Sequence, residues 1–399
     1  MSVSKEIKRL LVMNASSNII FNYVGIFVNL YIWESGKSIR DVTWFNFILF
    51  AAWTVTFIAG ARLMTRFSNR LLVRAVALSG AATFLLLTFL HLDNRLLWIT
   101  IIAIPVGTMW GIYAAAQNIT LSLFGKGKDF AGYFSASTII GQTISVLNPI
   151  VFALVIKWIG YTGSFVLMFV FVTILLVVSF LIPPISLSGE KMPLFQHVSF
   201  SRVFTTASLR WMVPSCLAAG IFLQFQGLFA LLFTFSVSKD KLIIALLNVL
   251  YTGSAITAMM LYRKFALRDN VWLTGGMVCV SAGFLVTMIP YAPLLIVSNL
   301  LTTMGMFYFS TIWNTRQFAI ISVSTPVEQA RIFIWRECFL NVSRIVLLLL
   351  VLGLQVKDFQ GAGFFLLLFL ALFCAATIPY FSKMGTDSFE KEKGETVPV

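Results

Sequence analysis

Long stretches without a charged residue alternate with short segments rich in Lys and Arg along the whole chain. A helix that crosses the hydrocarbon core of a membrane needs about 20 mostly apolar residues, and most of these stretches reach that length. They cover residues 10–33, 42–61, 75–92, 96–125, 130–156, 158–189, 211–238, 242–262, 270–315 and 359–382. Each stretch predicts at least one membrane-spanning helix.

Two further features raise the predicted number of helices to twelve. The stretch 270–315 is too long for one crossing, and the prolines Pro290 and Pro293 predict a break inside it. Residues 332–354 are apolar apart from Arg336, Glu337 and Arg344 and supply another span. We therefore predict an all-α integral membrane protein of twelve helices, whose even number places both termini on one side.

Composition supports this interpretation and excludes a soluble fold. The 399-residue chain is 59% hydrophobic and 11% charged, whereas soluble domains carry about 25% charged residues. Most of the 29 Lys and Arg fall in alternate connections on the side of the termini, which the positive-inside rule assigns to the cytoplasm. That rule also accounts for the net charge of +14, so we expect no nucleic-acid partner. Four cysteines lie in apolar stretches and the two histidines are isolated, so we expect no metal and no cofactor.

The predicted organisation is two six-helix halves joined by a linker. Residues 1–185 and 210–382 would form the halves, the polar segment 186–209 a cytoplasmic linker, and residues 383–399 a charged, disordered cytoplasmic tail. Shifting the sequence by 202 residues pairs Asn22 with Gln224, Asn46 with Asn248 and Arg66 with Arg268. Such a repeat is expected of a carrier with two similar halves around a central site, although any two hydrophobic helices share some similarity.

This topology, the internal repeat and a basic loop between the second and third helices resemble the major facilitator superfamily of secondary transporters. The resemblance covers residues 10 to about 382. In that family the loop carries a motif with Gly, Asp, Arg and two further basic residues that acts as a charge clamp between the halves. Here Arg66 and Arg70 match the motif, whereas Thr65 replaces its Asp and Ser68 its second Gly. The resemblance implies gating roles for Arg62, Arg66 and Arg70.

The first helix carries Asn14, Asn18, Asn22 and Asn29 within an arc of about 80°, at 100° per residue. By the resemblance this helix would line a central cavity. The alternative is that the amides only form hydrogen bonds between helices. Aromatic residues of other helices, such as Trp110, could line the same cavity or simply pack.

Charged residues inside the tenth and eleventh helices are costly in a membrane and point to function. Arg316 and Glu337 lie at similar predicted depths, so we hypothesise an ion pair that closes the cytoplasmic side; the alternative is that each charge snorkels to the interface. Arg344 lies near the predicted bilayer centre with no acidic residue at its depth. We predict that it contacts an anionic or phosphate-bearing group of the cargo, and capping of backbone carbonyls is the alternative. The predicted substrate-binding residues are Asn18, Asn22, Asn29, Trp110, Gln142, Gln224, Gln226, Asn341 and Arg344, and the predicted gating residues are Arg62, Arg66, Arg70, Arg316 and Glu337.

The leading functional hypothesis is a monomeric, multi-pass plasma-membrane transporter that exports a small amphipathic or anionic organic molecule by alternating access. The alternative within transport is a flippase for a lipid-linked or glycolipid headgroup, in contact with membrane lipid. A membrane enzyme would need clustered carboxylates, His or a Ser/Lys pair at one depth, and the sequence shows none. A nucleotide-driven pump is excluded because no phosphate-binding glycine loop is present. A receptor without transport activity stays open.

Overall fold

The computed structural model of the chain describes residues 5–36, 38–90, 93–124, 128–187, 194–237, 241–265, 267–289, 291–356 and 361–395. Within these ranges the regular secondary structure is helical. The amino-terminal half contains α1 (Lys5–Tyr23), a π-helical turn (Val24–Val28), α2 (Asn29–Gly36), α3 (Ile39–Leu63), α4 (Asn69–Phe89), α5 (Arg95–Phe124) and α6 (Lys128–Leu181). The carboxy-terminal half contains α7 (Phe200–Val203), α8 (Ala207–Val237), α9 (Lys241–Lys264), α10 (Asp269–Val286), α11 (Ala292–Ile321), α12 (Pro326–Gly353) and α13 (Ala362–Glu395).

Two breaks within long apolar stretches separate consecutive helices. Gly160 interrupts α6 with a φ of 72°, a conformation that glycine adopts without steric cost, so α6 consists of two helices joined end to end. The stretch 270–315 also holds two helices, because α10 ends at Val286 and α11 begins at Ala292. Pro290, which we expected to contribute to this break, lies outside the described residues.

The helices are built to cross a membrane. Within the described residues, nine helical stretches are long and apolar enough to do so. The first, Glu6–Gly36, joins α1, the π-helical turn and α2, and the 46-residue stretch Ala136–Leu181 includes the break at Gly160. The chain is therefore a multi-pass membrane protein. Its twelve crossings and the side that bears its termini stay predictions.

Close contacts between backbones hold particular helices together. On α5, a Cβ at Gly111 would collide with the α3 backbone at Trp53 and Phe57. On α8, a Cβ at Gly220 would collide with the carbonyl oxygen of Leu340 on α12. Because only glycine permits these approaches, they bring α5 close to α3 and α8 close to α12. Between the two halves, α12 packs against α3 and α9 packs against α6.

The predicted linker is attached to both halves in its described parts. In the amino-terminal half, the Leu187 amide donates to the carbonyl oxygen of Met64 at 2.8 Å. From α12, Arg331 Nε donates to the Leu194 carbonyl at 2.8 Å and Trp335 Nε1 donates to the Val198 carbonyl at 2.6 Å. Residues 188–193 of the predicted linker lie outside the described residues.

Residues 383–395 are helical, which contradicts the disorder expected for residues 383–399. The α13 helix continues to Glu395, and its Glu392 carboxylate accepts hydrogen bonds from the Ser208 amide at 3.1 Å and the Ser208 hydroxyl at 2.6 Å. A carboxylate at the first turn of α8 stabilises that turn, and the contact attaches the end of α13 to the start of α8. Residues 396–399 lie outside the described residues.

Candidate transport site between the two halves

Arg344 lies at the seam between the halves, where α12 packs against α3. Its guanidinium carbon is 4.9 Å from the ring centroid of Phe50 and 5.4 Å from that of Trp53. Both aromatic residues are near the middle of the 25-residue helix α3. Although α12 begins at Pro326, earlier than the predicted 332, these neighbours place Arg344 at mid-depth of the bundle.

Several hydrogen-bond donors around Arg344 lack an acceptor. Arg344 Nη1 donates to Asn341 Oδ1 at 3.1 Å. In the part of the chain that the structure describes, the Nδ2 of Asn341 and the Nε1 atoms of Trp53 and Trp110 are buried without a hydrogen-bond partner. The Trp53 and Trp110 rings are 5.2 Å apart, centroid to centroid. Three predicted substrate-binding residues, Asn341, Arg344 and Trp110, thus belong to one cluster, and Trp53 and Phe50 complete it; their role in binding stays a prediction.

A second buried charged group lies on α12, closer to its amino-terminal end. Arg336 Nη1 pairs with Glu337 Oε1 at 2.8 Å, and its Nε and Nη2 atoms donate to Gln317 Oε1 at 2.5 Å and Asn314 Oδ1 at 2.9 Å. Arg336 and Glu337 are only 5% and 4% exposed. Asn118 Nδ2 on α5 donates to Glu337 Oε1 at 3.4 Å, so Glu337 joins the two halves.

This arrangement corrects the predicted ion pair between Arg316 and Glu337. The partner of Glu337 is the adjacent Arg336 of the same predicted span, for which the sequence predicted no partner. Arg316 instead donates from Nη1 to the Ser382 hydroxyl on α13 at 3.3 Å. Glu337 contacts Asn118 of the other half, whereas Arg316 has no part in that contact; a gating role for Glu337 stays a prediction.

The asparagines of α1 mainly bind neighbouring helices of the same half. Asn18 Nδ2 donates to Asn14 Oδ1 at 2.8 Å, and Asn14 Oδ1 also accepts from the Ser137 hydroxyl on α6 at 3.0 Å. Asn22 Nδ2 donates to the Ser145 hydroxyl at 3.5 Å, and its Oδ1 is buried without a partner. The alternative of hydrogen bonding between helices therefore describes most of this face, and Asn22 retains one unused acceptor.

Asn29 does not continue that face. A π-helical turn adds one residue to a helix and rotates everything that follows, and the turn Val24–Val28 precedes Asn29 directly. Asn29 Oδ1 accepts from Asn46 Nδ2 on α3 at 3.2 Å, whereas Asn14 and Asn22 face α6. The predicted arc assumed an unbroken α-helix and is wrong for this residue.

The predicted glutamines remain outside the cluster that surrounds Arg344. Gln142 on α6 and Gln226 on α8 are half-buried, and Gln224 on α8 is buried. The hydrogen bonds that the structure records around Arg344, Arg336 and Glu337 involve none of these three. Their role in binding stays a prediction.

The loop arginines do not form the charge clamp implied by the resemblance. Arg62 and Arg66 are exposed, the Arg62 guanidinium carbon is 5.9 Å from the ring centroid of Phe195 in the linker, and Arg70 Nε donates to the Ile182 carbonyl at 2.8 Å within the same half. The ion pairs recorded among the described residues, Arg95 with Asp41 and Arg336 with Glu337, do not include them. Because Thr65 replaces the family's Asp, the acidic half of a clamp is missing.

Comparisons with known proteins identify the fold. No protein-family profile matches the chain. The uncharacterized protein YqgE of Bacillus subtilis (strain 168) is 24% identical over 355 residues, which cover 83% of this chain and 79% of that protein. Among solved structures, the POT family transporter PepTSo has 11% identity and a TM-score of 0.69, covering 98% of this chain and 99% of that one.

Two further solved structures have the same architecture. A POT family transporter in complex with a thioalcohol-conjugated peptide has 12% identity and a TM-score of 0.68, and one in complex with 5-aminolevulinic acid has 12% identity and a TM-score of 0.67. Each covers 95% of this chain and 96% of the other. The chain shares the fold of these POT family transporters, which belong to the major facilitator superfamily. The resemblance is thus confirmed for the fold, and identities this low say nothing about the cargo.

Proposed function

We propose that this protein is a secondary transporter that works by alternating access, with its cargo site at Arg344 on the seam between α12 and α3. The observation that carries the proposal is a half-buried cation, Arg344, beside buried, unpaired polar atoms at mid-depth in an apolar bundle. Polar groups in such a position are costly and are retained where they line a path or a site. Rocking of two packed halves would expose that site to each side in turn.

The arrangement of the two ends of the seam supports one state of such a cycle. At the end nearer the start of α12, Asn118 reaches Glu337, and Phe134 on α6 lies 5.1 Å from Phe318 on α11, centroid to centroid. At the other end a cavity of about 660 Å³ lies between the start of α3 and the end of α12, lined by residues that include Arg40 and Gln355. With the predicted orientation, this is an outward-facing state closed toward the cytoplasm, and we propose twelve crossings with cytoplasmic termini.

Cysteine labelling tests alternating access directly. In a variant without the four native cysteines, Gln355→Cys places a thiol in the outer cavity. Adding Asn118→Ala removes the hydrogen bond that holds the cytoplasmic end closed, so we expect slower labelling of that thiol by a membrane-impermeant maleimide. Asp93→Cys, at an exposed position of the connection between α4 and α5, is the matched control and should label at an unchanged rate. An unchanged labelling rate of the thiol at position 355 would contradict coupling between the cytoplasmic end of the seam and the outer cavity.

For the cargo we propose an amphipathic organic anion that leaves the cell across the plasma membrane through a monomeric carrier. Arg344 supports the negative charge, and the surrounding aromatic rings support an apolar body. The ligands named for the similar structures, a conjugated peptide and 5-aminolevulinic acid, are not lipids, so these comparisons lend no support to the flippase. Efflux from preloaded proteoliposomes of known protein orientation measures the direction.

A further inference from the structure

The donors beside Arg344 have no acceptor to bind. Buried polar groups are almost always hydrogen-bonded, and each exception calls for an explanation such as a missing ligand. Three buried donor nitrogens, those of Trp53, Trp110 and Asn341, lack partners among the described residues. Indole nitrogen and guanidinium groups donate and cannot accept. A group that satisfies this cluster must therefore bring oxygen acceptors.

When the charges of Arg336, Glu337 and Arg344 are summed, one positive charge at the seam has no counter-charge. Glu337 is already paired with Arg336 at 2.8 Å, and it lies seven residues, or about 10 Å along the helix axis, from Arg344. Within the described residues Arg344 has no acidic partner, and its recorded hydrogen bond goes to the neutral Asn341. The cluster is therefore neutralised by one negative charge and would be overcharged by two.

Arg344 keeps donors available on its planar edge. A guanidinium has five N–H donors, and the hydrogen bond that the structure records for Arg344 uses one of them, at Nη1. Arg344 lies against Phe50 and Trp53 and is itself partly exposed. Planar bidentate binding of a carboxylate needs that edge.

Aromatic rings continue the site away from the charge. Phe50 stacks on Trp53 at 5.6 Å, Trp53 contacts Trp110 at 5.2 Å, and Trp110 contacts Phe21 on α1 at 4.8 Å, each measured between ring centroids. This row of rings links α3, α5 and α1 without interruption. Rings in such a row favour a flat apolar body over a flexible acyl chain.

We infer that the cargo is an aromatic monocarboxylate, whose carboxylate binds the edge of Arg344 and the free N–H groups of Asn341 and Trp53, and whose flat body lies along Trp53 and Trp110. That the bound molecule is cargo rests on the proposed function, whereas its binding is measurable without transport.

Binding to the purified full chain tests the charge requirement. The probe is radiolabelled 2-naphthoate in equilibrium dialysis, and unlabelled competitors are 2-naphthamide, which is neutral, and 2,6-naphthalenedicarboxylate, which carries two charges. We expect 2-naphthoate to bind at least about tenfold more tightly than either competitor, which corresponds to ~1.4 kcal/mol. Equal binding of the amide or tighter binding of the dicarboxylate would overturn the inference. Displacement of 2-naphthoate by phosphatidic acid in nanodiscs, but not by the other carboxylates, would assign the site to a lipid phosphate and overturn it as well.

Variants test the assigned residues. Arg344→Gln should reduce the preference for 2-naphthoate over 2-naphthamide to about onefold, and Arg344→Lys should keep a preference because it keeps the charge. Trp53→Phe retains the ring and removes one donor, so we expect a loss of about three- to tenfold in affinity. The matched control is Trp272→Phe, because Trp272 also has a buried, unpaired Nε1 but packs against Tyr262 and Tyr308 in the carboxy-terminal half. A similar loss in both tryptophan variants would reject the placement at Trp53.

Counterflow of 2-naphthoate in proteoliposomes separates the inference from the proposed function. Tight, Arg344-dependent binding without counterflow would overturn the transporter and leave the carboxylate site standing. Counterflow of neutral or cationic solutes, in a protein that does not bind 2-naphthoate, would overturn the carboxylate site and leave the transporter standing.

Discussion

Neutralising Glu337 should destabilise the protein through the charge that it leaves behind on Arg336. The two side chains are 2.8 Å apart and almost fully buried. Removing one partner of a buried ion pair costs about 3–5 kcal/mol, because the other charge stays buried and unpaired. Arg336 retains its hydrogen bonds to Gln317 and Asn314, so we expect Glu337→Gln to lower the free energy of unfolding by about 3 kcal/mol.

A double-mutant cycle separates the pair from its surroundings. Replacing a buried ion pair by uncharged residues is often nearly neutral, so Arg336→Met together with Glu337→Gln should cost about 1 kcal/mol, less than either single change. The free energy of unfolding is measured for the purified protein by denaturant titration followed by tryptophan fluorescence. Asp93→Asn, which neutralises an exposed carboxylate, is the control and should change stability by less than ~0.5 kcal/mol. If the effects of the two single changes simply add in the double variant, within ~0.5 kcal/mol, the pair is not coupled and the reasoning is refuted.

Three further outcomes follow from the packing. Gly111→Val should destabilise the protein by about 1–3 kcal/mol in the same titration, because its side chain would collide with the α3 backbone, whereas Gly227→Ala, which meets nothing within 4 Å, should be neutral or stabilising. Trp335→Phe should make trypsin cleave faster at the exposed Arg202, since the linker loses its hydrogen bond to the indole; equal cleavage rates would show that this bond does not hold the linker. Arg316→Gln should leave maleimide labelling of the outer cavity unchanged, and a change there would restore Arg316 to the gate.

Periodicity and composition predicted the helices well because these properties act within each element. Stretches of apolar residues and the proline-containing break indicated where α10 ends and α11 begins. The i, i+4 spacing of Asn14 and Asn18 also placed two amides on one face, where they form a hydrogen bond. Asn46 and Asn248, which the repeat pairs, each donate to the carbonyl oxygen four residues earlier.

The site residues that sequence reasoning missed are those whose role depends on distant helices. Phe50 and Trp53 were indistinguishable from the many other aromatic residues, since nothing in α3 alone shows that α12 brings a cation against them. Arg336 was only one more charge in an apolar predicted span, and its contacts are with Gln317 and Asn314 on α11. The position of Arg336 directly before Glu337 in an apolar span was the one signal that could have suggested the pair.

The sequence by itself determined that this chain belongs in lipid, that it is helical, and that a cation lies deep in its eleventh predicted span, because hydrophobicity and charge are sums over neighbouring residues. Only the tertiary structure decided what that cation meets. The packing of helices far apart in the chain determines three features: the register of the π-helical turn before Asn29, the partner of Glu337 and the tryptophans beside Arg344. Contacts between helices far apart in the chain produce no periodic pattern in a single sequence, because they depend on which helix surfaces pack together and not on the spacing of neighbouring residues.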